Sequence, residues 1–217
     1  MRALLLWLAA AALALPGQSQ SAAVLRIDFS NPGLTPSTWT LVLHPDGSAH
    51  FHAERGHAAD PRTETMEPAI MDRDVHLSEE FADRVFETAH RRKLMNVECE
   101  SHAKVAFQGW KTISYLGPDG SGSCEFNYSN DKQIEALGDS LVGVASTIVE
   151  GVRLEMLRQH DPLGLDREME FVTEASQDGR LQQICAIRKT LQRLENDPAV
   201  LDRVRSRARK LLARAEK

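Results

Sequence analysis

Apolar and polar residues alternate along Val24–Phe29, where Leu25, Ile27 and Phe29 are separated by Arg26 and Asp28. A period of two predicts a strand with one buried face. The same alternation recurs in two pairs. Trp39–Leu43 and Ala49–Ala53 flank His44-Pro45-Asp46-Gly47-Ser48, and Trp110–Leu116 and Gly122–Tyr128 flank Gly117-Pro118-Asp119-Gly120-Ser121. Proline presets φ at the first turn position, aspartate bonds nearby backbone, and glycine takes the positive-φ position. Each stretch therefore predicts a β-hairpin built on a type I turn with a glycine bulge. In the first, Leu43 is set opposite Ala49, Leu41 opposite Phe51 and Trp39 opposite Ala53. The other face then carries Thr40, Val42, His44, His50 and His52. In the second, Leu116, Ser114, Thr112 and Trp110 are set opposite Gly122, Cys124, Phe126 and Tyr128, which puts Trp110 on the core face.

Helical periodicity follows each hairpin. Polar Arg55–Arg73 reads as a long loop, with Ile70–His76 returning as a short strand. Ser78 then caps a helix whose stripe is Phe81, Ala82, Val85, Phe86 and Ala89, closed by the cations His90-Arg91-Arg92-Lys93. After the second hairpin, Asn130 and Gln133 suggest a capping box, and a long helix is predicted from about Asp131 to His160. Beyond it the pattern is helical only: Asp166–Gln177, Arg180–Glu195 and Ala199–Ala215, the last started by Asp197 as N-cap and Pro198. The fold class predicted is α+β. An antiparallel sheet from two Pro-Asp-Gly hairpins carries helices on one face, and a helical C-terminal extension follows. The expected division is 1–23 as leader, 24–160 as the α+β domain and 161–217 as the helical region.

This order resembles a group of small secreted bacterial hairpin-helix-hairpin-helix domains of unknown function. The residues that carry the likeness are Trp39–Phe51 with its Asp46-Gly47 turn, the Leu77-Ser78 helix start, and the Cys99 and Asp119-Gly120 region. It covers roughly Trp39–Ala145 and implies a fold but no activity.

The N-terminus changes the setting. Arg2, the apolar run Ala3–Leu15 and the break at Pro16-Gly17 read as a secretory signal peptide, with small residues up to Ala23 for cleavage. A retained N-terminal anchor is the rival reading. The mature chain is expected to be exported, periplasmic or extracellular, without a transmembrane helix. Three cysteines leave one unpaired. Spacing alone leaves the pairing open; Cys99–Cys124 is the bridge expected, with Cys185 a buried free thiol. The net charge of −5 hides a basic end: Arg203, Arg205, Arg207, Arg209, Lys210, Arg214 and Lys217. An amphipathic helix with a solvated basic face accounts for these residues, with Arg207 exposed, and no nucleic-acid partner is expected.

Candidate chemistry is sparse. His50 and His52 lie two apart on one strand, so both point away from the core. With His44 across the turn and His57 in the following loop they form a possible site for a divalent transition metal, with Asp60 or Glu54 as further ligands. A plain polar strand face explains the same residues. The sequence contains no Gly-x-Ser-x-Gly elbow, no His-Glu-x-x-His, no Walker loop and no dinucleotide fingerprint. Cys99 and His102 lack any enforced nucleophile–base geometry. The leading expectation is an exported, non-catalytic protein that binds another protein or an envelope component. The alternative is a metal-binding or metal-dependent protein using His44, His50, His52 and His57.

Overall fold

The computed structural model describes residues 22–56 and 68–215. Most of the expected leader, His57 and Asp60 lie outside the described residues. Six strands form one sheet: β1 (Val24–Ser30), β2 (Thr38–Leu43), β3 (Ser48–Glu54), β4 (Ile70–His76), β5 (Trp110–Gly117) and β6 (Gly120–Phe126). Their order across the sheet is β4-β3-β2-β1-β5-β6, and every neighbouring pair is antiparallel. The first strand is thus central, because its fully apolar inner face (Leu25, Ile27, Phe29) suits a position covered by neighbours on both edges.

Helices α1 (Glu79–Arg91) and α2 (Lys132–His160) cover one face only. Ser78 caps α1, its hydroxyl accepting the Phe81 N–H. Asp131, not Asn130, caps α2, its carboxylate accepting the Gln133 and Ile134 N–H groups. The inner core joins Leu25, Ile27, Leu41, Phe51, Ile113 and Phe126 to Val85 of α1 and Leu141 of α2. A second apolar cluster begins at Leu154 and continues through α3 (Pro162–Gln177), α4 (Arg188–Asn196) and α5 (Asp202–Arg214). The long α2 therefore serves two cores, the sheet along its first two-thirds and the helical region at its end. Among the described residues, no helix is long and apolar enough to cross a membrane.

The second hairpin departs from the expected register by one residue. In the first, His44 N–H donates to Ser48 and Gly47 (φ +80°) takes the left-handed position, leaving a three-residue loop. In the second, Gly117 pairs with Gly120, so the loop is only Pro118-Asp119. A one-residue slip turns a strand over. Lys111, Ile113 and Tyr115 face inward, opposite Phe126, Cys124 and Gly122, while Trp110, Thr112, Ser114 and Leu116 face outward. Lys111 is accommodated because its ammonium reaches the Asn127 carbonyl at 2.9 Å and lies over the Phe126 ring.

The helical region also differs in detail. The expected Arg180–Glu195 helix is replaced by a 3-10 turn at Ile184–Ile187 followed by α4. Gln183 adopts positive φ and its side chain accepts the Ser78 N–H, while the Gln182 carbonyl accepts the Thr147 hydroxyl. These long-range bonds hold the segment out of helical geometry. Asp197 and Pro198 form a turn, not a helix cap, since the Asp197 carboxylate bonds Arg158 at 2.8 Å and the Ala199 N–H. The last helix accordingly starts at Asp202.

Gly151, inside α2, marks the closest approach of the 3-10 turn. A β-carbon there would lie 2.3 Å from Ile187 Cγ2 and 3.1 Å from its Cβ. Gly151→Ala gains about 1 kcal/mol of helix propensity but forces buried Ile187 out of place at roughly 1–3 kcal/mol. A net loss of up to about 2 kcal/mol is expected in urea titration, and clear stabilisation would contradict the packing described.

Candidate functional site: the open face of the sheet

With helices on one side, the other face of the sheet is lined by side chains in register. One row crosses all six strands: Asp72, His52, Thr40, Asp28, Thr112 and Glu125. Within it each carboxylate has a partner. Asp72 lies 3.2 Å from His52 Nδ1, Thr40 donates to Asp28 at 2.6 Å, and Thr112 donates to Glu125 at 3.0 Å. A second row runs Asp74, His50, Val42, Arg26, Ser114 and Ser123. Its Arg26 forks onto both oxygens of Asp28, at 2.6 and 2.7 Å. A third row holds Ile70, Glu54, Thr38, Ser30 and Trp110.

His50 and His52 share this face, as their spacing requires, and β4 brings two aspartates to them. His50 Nδ1 lies 2.8 Å from Asp74, its Nε2 lies 3.1 Å from Asp72, and Asp72 also meets His52. Asp72 would be the carboxylate of any cation held by this pair. Glu54 stands 4.0 Å from His52 Nε2. His44 sits beside the turn, where its backbone N–H closes the hairpin, and His57 is outside the described residues. Among the described residues, no three His, Cys, Asp or Glu side chains are grouped to hold a metal ion. The sequence places a strand at Ile70–His76, but the long stretch before it leaves the β3–β4 register open, so Asp72 and Asp74 could not be assigned to the histidines.

The electrostatics argue against acid catalysis at the centre of the face. Burial pushes the Asp28 carboxyl up, but the hydrogen bonds from Arg26 and Thr40 and the adjacent guanidinium outweigh it and hold the group below its ordinary value of 3.8. A general acid needs the opposite shift. A carboxyl depressed in the folded state stabilises above its unfolded value, and that contribution disappears as pH falls through the folded value. Asp28→Asn is therefore expected to flatten the loss of stability between about pH 5 and pH 3. Urea titrations at both pH values check this, and parallel losses in the two proteins would contradict it.

The other predicted residues lie elsewhere. Cys99 and Cys124 form a disulfide between the segment before β5 and strand β6. Cys185 is free and half-buried, and burial raises its thiol, which leaves it a poor nucleophile at neutral pH. Four of the terminal arginines are paired within the chain: Arg203 and Arg207 with Asp166, Arg205 with Asp202, and Arg209 with Glu195. No protein-family model matches the chain, and no curated protein matches it closely enough to count as a relative.

Proposed function

We propose that the protein is an exported, non-catalytic binding protein whose working surface is the open face of its sheet. The observation that carries this reading is the row from Asp72 to Glu125, a strip that none of the described helices covers and whose carboxylates are each fixed by a neighbour. Preorganised polar groups on strands suit recognition, since little side-chain freedom is lost on binding. The Cys99–Cys124 bridge supports export, because such bonds persist in oxidising compartments. Self-paired arginines on α5 leave a basic arm a weaker candidate for the contact.

The test is site-resolved cross-linking in native envelope. A photoreactive residue placed at Thr112, on the open face, is expected to trap a partner, whereas one at exposed Arg167 of α3 is not. Equal capture at both positions, or none at Thr112, removes the reading. The alternative is a divalent transition metal on His50 and His52, favoured by the placement of Asp72 between their rings. Stoichiometric zinc, copper or nickel on the purified protein, lost in His50→Ala/His52→Ala, would establish it.

A further inference from the structure

We propose that the groove beside Trp110 on the open face binds a neutral oligosaccharide; the inference rests on the open-face reading above and names its ligand class. The groove has a volume of about 350 Å³ and lies over the rows of Asp28 and Ser30. Trp110 lines it and retains 43% of its surface exposed. An exposed indole on a strand, rather than on a loose loop, is a fixed apolar plate. Phe107 supports it edge-on, with ring centroids 6.3 Å apart at 62°. The loop carrying Phe107 is itself pinned, since Asn31 donates to the Gln108 carbonyl and Asn127 accepts the Gln108 N–H. A sugar ring presents an apolar C–H face to such a plate and hydroxyls at its rim.

The polar lining matches those hydroxyls. Asp28, Glu125 and Glu54 accept, and Ser30 and Thr38 both donate and accept. Thr40 and Thr112 already donate to Asp28 and Glu125, so their free lone pairs look for a donor from the ligand. A polyamine would satisfy the carboxylates but offer nothing to the remaining donors, and Arg26 beside Asp28 repels it. Spacing points the same way. Asp28 and Glu125 are two strands apart, on the order of 10 Å at the backbone, and Glu54 stands two strands from Asp28 on the other side. Groups so spread cannot enclose one cation but can follow successive units of a chain. An acidic saccharide would set its own carboxylates against Asp28, Glu54 and Glu125, with Arg26 already paired to Asp28 and His52 to Asp72, so the ligand is neutral.

Cellotetraose and chitotetraose are the probes, titrated into the full chain with indole fluorescence and calorimetry as readouts. Roughly millimolar or tighter binding is expected. Trp110→Ala should weaken it about tenfold, Glu125→Gln severalfold, and Trp110→Phe much less, because a smaller plate remains. The exposed position keeps these variants folded, and circular dichroism verifies that. Binding that ignores Trp110→Ala overturns the proposal. So does saturable binding of spermine without oligosaccharide binding. If neither tetrasaccharide binds while Thr112 still traps a partner in the envelope, the ligand class is wrong and the open-face reading stands. If both experiments fail, both readings fall.

Discussion

Replacing Cys99 and Cys124 together by alanine is expected to lower the stability of the protein by about 3–4 kcal/mol. The bridge spans 25 residues of sequence, and closing a loop of that length removes roughly this much chain entropy from the unfolded state. The site gives little back by other means. Residues 102–108 run exposed and without regular structure between the bridge and β5. Their ties to the sheet are hydrogen bonds near the two ends, from the Ser101 N–H to Tyr128 and between Gln108 and both Asn31 and Asn127. Glu100, next to the bridge, accepts the Asn127 N–H, and that bond first, with the His102 N–H, holds its carboxyl below the ordinary value against burial.

Both cysteines are buried, at 4% and 5% exposure, so the double substitution is a cleaner test than reductant. Urea titration should show a lower midpoint with a slope little changed. The loss should fall on the β5–β6 side of the sheet, and with it on the groove at Trp110. Amide exchange would then accelerate in β6 before β2. A change below about 1 kcal/mol would mean that the loop is ordered without its bridge.

How much of this architecture the chain announces depends on how local the deciding contact is. The strand at Val24, the three rungs of the first hairpin and the Ser78 cap are settled by residues within a dozen positions, and all three are found where alternation and capping put them. The second turn has the same Pro-Asp-Gly-Ser letters and a loop one residue shorter. Its register is decided at a distance, by β1 pairing Ile27 with Ile113 and Phe29 with Lys111. A lysine on the inner face is unreadable locally, because the carbonyl of Asn127 and the ring of Phe126 that receive it lie 15 or more residues on. The consequence reaches the candidate site. Placing Trp110 on the core face hides a large aromatic of the open face, just as the unread β3–β4 register hides Asp72 and Asp74. The histidines were legible because a spacing of two fixes their face without reference to any partner. The start of α5 is illegible for a similar reason: Asp197 looks like a cap, yet Arg158, 39 positions earlier, takes its carboxylate.

The last helix allows the sharpest comparison of burial with charge. Val204, Ala208 and Leu211 are essentially fully buried, whereas Leu201 keeps 40% exposure because it precedes the helix. Leu211→Ala is therefore expected to cost about 2–5 kcal/mol, the range for deleting a buried leucine and leaving a cavity. Leu201→Ala should cost well under half of that. Arg207 carries the instructive difference. The pattern places it on an exposed face, but its guanidinium lies 2.7 Å from Asp166 and 3.5 Å from Glu170, three-quarters covered. A partly buried pair is worth more than an exposed one, so Arg207→Ala should cost about 1 kcal/mol rather than nothing. Asp166 would not be stranded, since Arg203 holds the same carboxylate at 2.8 Å. Double substitution of Arg203 and Arg207 removes that second partner from a carboxylate only 18% exposed, so the combined loss should exceed the sum of the single ones. Chemical denaturation of these variants, with Arg203→Ala alone as the fifth, decides the matter. Equal, small effects from Leu211→Ala and Arg207→Ala would mean that α5 is not docked on α3 and α4. That result would free its arginines for an anionic partner and move the search for function away from the sheet.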